Sequence, residues 1–240
     1  MPELPPPLPP AERTVGQLVA ETIRAYGGMF WRVLPLGLPI AASSQVSIGH
    51  DANFQSIVLF AFGPVIAVAY VYACRLVLQV RPTATAYATA VLVFAPVPLL
   101  ERAAVLPAVA WLALFGLAPA AAMVEGLGFR NSLARGRRLG TADFVHALGS
   151  LAALVIVVLI SELTLIALLR SQGDTGQRIA HALADLVMTP LLYVGGALLY
   201  IDQAARVGSG RPHRRSRRDA DFHPPLDADA TGRPNPQVEP

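Results

Sequence analysis

Lysine is absent from this chain of 240 residues, so all 19 basic side chains are arginines. Cysteine occurs once, at Cys74, which excludes an intramolecular disulfide and a cysteine-built metal cluster. Charge of either sign is scarce: 15% of the residues are charged, against about 25% in ordinary soluble domains. No phosphate-cradling glycine loop with its lysine, no zinc-protease helix and no hydrolase elbow occurs. The histidines are split between distant segments and make no metal-ligand spacing. No early apolar core ending in a small-residue cleavage site is present, so the first apolar run is expected to stay in the mature protein.

What the chain has is apolar sequence in long runs, with 54% hydrophobic residues. A span needs about 20 mainly apolar residues to cross roughly 30 Å of hydrocarbon. The runs predict an all-α polytopic membrane protein with six transmembrane helices, at about 29–47, 54–78, 85–100, 103–124, 147–169 and 179–201. They form one membrane domain over 13–206. It lies between a Pro-rich leader at 1–12, expected to be disordered, and a disordered cytoplasmic tail rich in Arg, Pro and Asp at 207–240. Ahead of the first span, Val15, Leu18, Val19 and Ile23 recur at helical spacing. They predict an amphipathic helix capped by Thr14 and ended by Gly27-Gly28. Such a helix lies in the inner headgroup region, or packs on the protein's own cytoplasmic parts. Pro35 and Pro39 should kink the first span. The third is the weakest, with Pro96 and Pro98 near its end, and merging it with the fourth would leave five.

Charge decides between the two counts. With six spans, sixteen arginines fall on one side, and only Arg102, Arg170 and Arg178 on the other. Cytoplasmic loops retain arginine during insertion, so the bias puts both termini in the cytoplasm of a multi-pass protein of the cell (inner) membrane. Five spans would place the cluster at 130–138 and the C-terminal arginines outside.

Polar residues inside spans are costly, and each calls for a reason. Glu162 stands about two turns inside the fifth span from its outer end. His181 and Asp185 lie four apart near the outer end of the sixth. In an antiparallel hairpin the three can meet at one depth. One reading is a proton or cation site on a translocation path. The other is an interhelical bonding cluster that includes Arg178, at about 1 kcal/mol per contact. Ser43, Ser44 and Gln45 have no base nearby in sequence and read as helix contacts. On the inner side, Asp143, His146 and Asp202 are the groups that a membrane-embedded lipid enzyme would have to bring together at headgroup depth. No catalytic, cofactor-binding or metal-binding residue is assigned.

Two basic clusters remain. Arg130, Arg135, Arg137 and Arg138 lie in the polar inner loop at 125–144, and Arg214 and Arg215 in the tail. Juxtamembrane arginines attract anionic headgroups by roughly 1 kcal/mol apiece, or serve as a retention signal alone. The tail has no interleaved aromatics, and an acidic stretch at 219–229 offsets its charge, so nucleic acid is not an expected partner.

Three stretches carry a family likeness: "RTVGQLVAETIRAYGGMFWRVLPLGLP", "EGLGFRNSLARGRRLGTADFVHALG" and "TPLLYVGGALLYIDQAAR". They resemble the bacterial six-span membrane domain attached to some glycerophosphodiester phosphodiesterases, together with its free-standing relatives. Leu133, Arg135, Leu139 and Gly149 fall at matching places in the second stretch, and Tyr200, Asp202 and Arg206 in the third. Ala204 stands where an arginine is usual. The resemblance implies a helical membrane fold with both termini inside. It implies no catalysis, because the phosphodiesterase activity of that family belongs to a separate soluble barrel, for which this chain has no length. The expected function is therefore a non-enzymatic scaffold, lipid-contacting or accessory module. Its partner is the bilayer, including anionic lipids, with a membrane-protein partner or a second copy beside it. The alternative is a small transporter or channel using Glu162, His181 and Asp185.

Overall fold

Thr14 opens the first helix. Its hydroxyl accepts from the Gln17 N–H at 3.3 Å, and the Gln17 carboxamide accepts from the Thr14 N–H at 2.8 Å. This reciprocal pair starts α1 (Val15–Gly28). The computed structural model describes residues 9–208, and no strand occurs among them. The leader before residue 9 and the tail after residue 208 lie outside the described residues.

Beyond α1 come α2 (Phe30–Val33), a 3-10 turn (Leu34–Gly37) and α3 (Leu38–Ser47). Asp51 caps the long α4 (Ala52–Leu78) by accepting from the Asn53 N–H at 3.2 Å. Thr83 likewise caps α5 (Ala84–Phe94), which is followed by α6 (Val97–Ala103). Ala104, in extended conformation, is the single link to α7 (Val105–Phe115), which packs back against α6; α8 (Ala118–Val124) continues inward. The expected loop at 125–144 is instead mostly a helix, α9 (Phe129–Ala142). α10 (Phe144–Leu169) and α11 (Gly173–Gly208) form the closing hairpin.

Five segments are long and apolar enough to cross a membrane: Ala52–Leu78, Ala84–Ala103, Val105–Val124, Phe144–Leu169 and Gly173–Gly208. The third and fourth expected spans thus stay separate. The run at 30–47 is not among the five. Arg32, Ser43, Ser44 and Gln45 dilute its apolar character, and Pro35 and Pro39 accompany its division into three short pieces.

Proline and glycine break several of these helices, and carbonyls beside the breaks accept from side chains of neighbouring helices. Proline lacks an N–H and leaves the carbonyl four residues earlier without its helical donor. Beside the break before Pro96, the Trp111 indole N–H donates to the Val93 carbonyl at 2.8 Å. Between α7 and α8, the Tyr70 hydroxyl donates to the Gly116 carbonyl at 2.8 Å. Pro190 frees the Leu186 carbonyl inside α11, and the Tyr26 hydroxyl donates to the adjacent Val187 carbonyl at 2.6 Å. Partial burial pushes the Tyr26 phenol up, so it remains a donor. Gly37 lies directly on the Leu186 carbonyl, where any Cβ would collide with the oxygen. Helix breaks at membrane depth persist only when such partners re-satisfy the backbone.

The core lies between α4, α8 and α11, whose small residues (Ala67, Ala73, Ala120, Ala121, Ala197) are buried. α10 differs. It buries only His146, Ala147, Ser150 and Leu154, all in its N-terminal half. Farther out, Leu163 is 65% exposed and Leu168 70% exposed. An apolar surface of this extent suits hydrocarbon rather than water.

Candidate functional sites at the two ends of the closing hairpin

The site beside the α10–α11 turn is built by three helices. Glu162 projects from α10 opposite the face that carries Ile160, Leu163, Thr164 and Ala167, and meets α11 across the hairpin. His181 Nδ1 lies 3.0 Å from Glu162 Oε1. One turn inward on α11, Asp185 faces both groups, and the Ser44 hydroxyl of α3 approaches its carboxylate. The Gln45 carboxamide donates to the Arg178 carbonyl at 3.0 Å and ties α3 to the same end of α11. Arg178 therefore enters through its backbone. The three in-span residues singled out from sequence do come together, with Ser44 as an unforeseen fourth.

The inner site gathers six ionisable side chains that are far apart in sequence. Asp202 is fully buried near the end of α11. His146 Nε2 lies 3.2 Å from Asp202 Oδ2 and 3.3 Å from an Arg206 nitrogen. Arg13 reaches the other Asp202 oxygen at 3.4 Å and Glu21 at 3.5 Å. Arg206 donates to Asp143 at 2.9 Å and to the Arg13 carbonyl at 2.6 Å. The Gln203 carboxamide donates to the Asp143 carbonyl at 3.4 Å. Asp143, His146 and Asp202 thus share one site, with two arginines that sequence reasoning did not attach to it. A guanidinium only donates, so each of the two spans a carboxylate and a neighbouring acceptor. The chemistry this favours is a charged clamp that fastens the segment before α1 to the last turns of α11.

The basic helix α9 is strongly one-sided. Ser132, Gly136, Leu139 and Gly140 are buried, while Arg130, Arg137 and Arg138 are exposed. A Cβ on Gly136 would stand 2.6 Å from the Ala118 Cβ, and one on Gly140 would collide with the Ala113 carbonyl. Only glycine lets α9 lie this close across α7 and α8. Arg135 departs from its expected role. Its Nε donates to both Glu125 oxygens at 2.8 Å, and the Tyr200 hydroxyl donates to Glu125 Oε1 at 3.1 Å. Arg214 and Arg215 lie outside the described residues.

Among the described residues, no group of three or more His, Cys, Asp or Glu is arranged to hold a metal ion. No protein-family model, curated protein or solved structure matches the chain.

Proposed function

We propose that this chain is a six-span protein of the cell membrane whose basic inner face holds anionic lipid headgroups, acting as a non-enzymatic scaffold or accessory module. The observation that carries the reading is α9, which turns Arg130, Arg137 and Arg138 outward while its glycine face is pressed onto α7 and α8. Guanidinium groups fixed along one helix face suit phosphate oxygens, to which they donate in pairs. The run at 30–47 supplies the sixth crossing. Beside its inner end Trp31 is 80% exposed next to the exposed Arg32, the composition of a membrane–water boundary. α1 runs along α11 from the Arg13–Asp202 contact to the Tyr26–Val187 bond, both termini are cytoplasmic, and the clamp of Arg13, Asp202 and Arg206 closes the domain on that side. The likeness to the membrane domain of some glycerophosphodiester phosphodiesterases agrees with this layout. A protein partner or a second copy belongs to the accessory role.

The test is flotation of purified protein with vesicles of neutral phospholipid, alone or with added anionic lipid. Preferential recovery with the anionic vesicles, lost in an Arg137→Gln/Arg138→Gln variant, supports lipid contact. Equal recovery counts against it.

A second reading, a small transporter or channel, is favoured by one observation: Glu162, His181 and Asp185 converge within the apolar part of the last two spans. Ionisable groups at such depth are costly and serve ion paths as well as interhelical contacts. Flux in reconstituted vesicles that is unchanged by Glu162→Gln would remove this reading.

A further inference from the structure

The ionisable cluster at the outer end of the hairpin is the start of a longer polar column. α11 carries His181, Asp185, Thr189, Tyr193 and Tyr200 at spacings of four and seven, on one side of the helix. From His181 to Tyr200 the helix rises about 28 Å, close to the hydrocarbon thickness of roughly 30 Å. Tyr193 occupies the middle. Its hydroxyl is buried and has no hydrogen-bond partner among the described residues, and the residue is 5% exposed. Side chains on a helix lean back toward its N-terminus, which turns this hydroxyl toward the Asp185 end of α11. A buried phenol is normally satisfied, and leaving one without a partner destabilises the fold.

The column continues inward. The Tyr70 ring packs edge-on against Tyr193 with centroids 6.0 Å apart. Its hydroxyl is seated over Gly196, where a Cβ would come within 3.3 Å of it, and donates to the Gly116 carbonyl at the helix break. One turn farther along α11, the Tyr200 hydroxyl bonds Glu125, which Arg135 holds in place. Oxygens able to accept and release a proton therefore recur along this side of α11 between the outer carboxylates and Glu125.

We propose that this column binds protons at Glu162, His181 and Asp185 and relays them past Tyr193, Tyr70 and Tyr200 to Glu125 on the inner side. The proposal rests on the transport reading and names its ion. A proton taken up at the outer carboxylates is passed between oxygens and released at Glu125, with no bond to carbon made or broken and no redox partner required. Charge is balanced by a counter-ion moving separately.

The test is the full chain in sealed vesicles holding a trapped pH-sensitive dye, with an inside-negative potassium potential set by valinomycin. Vesicles with protein should acidify at least tenfold faster than empty ones. Asp185→Asn should return the rate to that of empty vesicles. Tyr193→Phe should slow it severalfold while leaving the unfolding midpoint equal or higher, since it removes an unsatisfied hydroxyl. A fold-supporting tyrosine would lower the midpoint instead, and that outcome overturns the relay. Acidification that ignores both substitutions overturns it as well. Sodium or potassium flux without proton flux, read by salt-driven swelling, overturns the proton assignment and leaves the transport reading standing. Vesicles tight to all of these ions overturn both.

Discussion

At the scale of single residues, the tyrosines that reach helix breaks do structural work out of proportion to their number. Tyr70 is buried and donates to the Gly116 carbonyl at the break between α7 and α8. Tyr70→Phe keeps the ring and removes the donor, and should lower stability by about 1–3 kcal/mol. An unfolding midpoint in detergent equal to that of the parent would refute the capping role. Asp202 makes a stronger case. Asp202→Ala leaves Arg13 and His146 facing a buried gap. The cost of breaking a buried ion pair is about 3–5 kcal/mol. It should sit at the low end, because Arg13 keeps Glu21. Protease digestion should then cut near residue 13 in the variant and spare the parent. The tyrosine contacts and the two arginines of the clamp were not legible beforehand. Tyr70 and Gly116 stand on different spans, as do Tyr26 and Val187, and nothing in local composition pairs them. Glu162 and His181 were legible, because a hairpin with a short turn places its two outer ends side by side.

At the scale of elements, five of the six apolar runs appear as helices long and apolar enough to cross a membrane, and the structure keeps the third and fourth runs apart at Ala104. α9 was missed as a helix. Its buried face is made of serine and glycine, with Leu139 its only large apolar residue there, so hydropathy reads it as a polar loop. The signal that was available is the four-residue interval between Gly136 and Gly140, the spacing of close helix packing. Gly136→Val should cost about 1–3 kcal/mol by overpacking against Ala118. Gly128→Ala, where a Cβ meets open space, should be tolerated. Similar unfolding midpoints for the two variants would contradict the close approach of α9. α1 shows the converse. Its period was readable, yet which surface it faces was open, and the structure places Leu18 and Thr22 against α10 and α11.

At the scale of the whole molecule, the arrangement of arginine is the organising fact. The six crossings proposed above would put His50 and Ser171 on one side of the membrane and Thr141 on the other. In a Cys74→Ala background, His50→Cys and Ser171→Cys should react with an impermeant maleimide added to intact cells. Thr141→Cys should react only after permeabilisation. Labelling of Thr141→Cys in intact cells would reverse the topology. With that orientation, the exposed arginines of α9 face the inner headgroups, where two of them are worth roughly 2 kcal/mol, or about 30-fold in affinity. The most direct measurement extracts the protein in native lipid particles and weighs its bound lipids and proteins by mass spectrometry, with Arg137→Gln/Arg138→Gln beside it. Anionic lipid enriched over the surrounding membrane in the parent, and restored to the membrane average in the variant, is the predicted result. Lipid at the membrane average in both, with no companion protein, would contradict it.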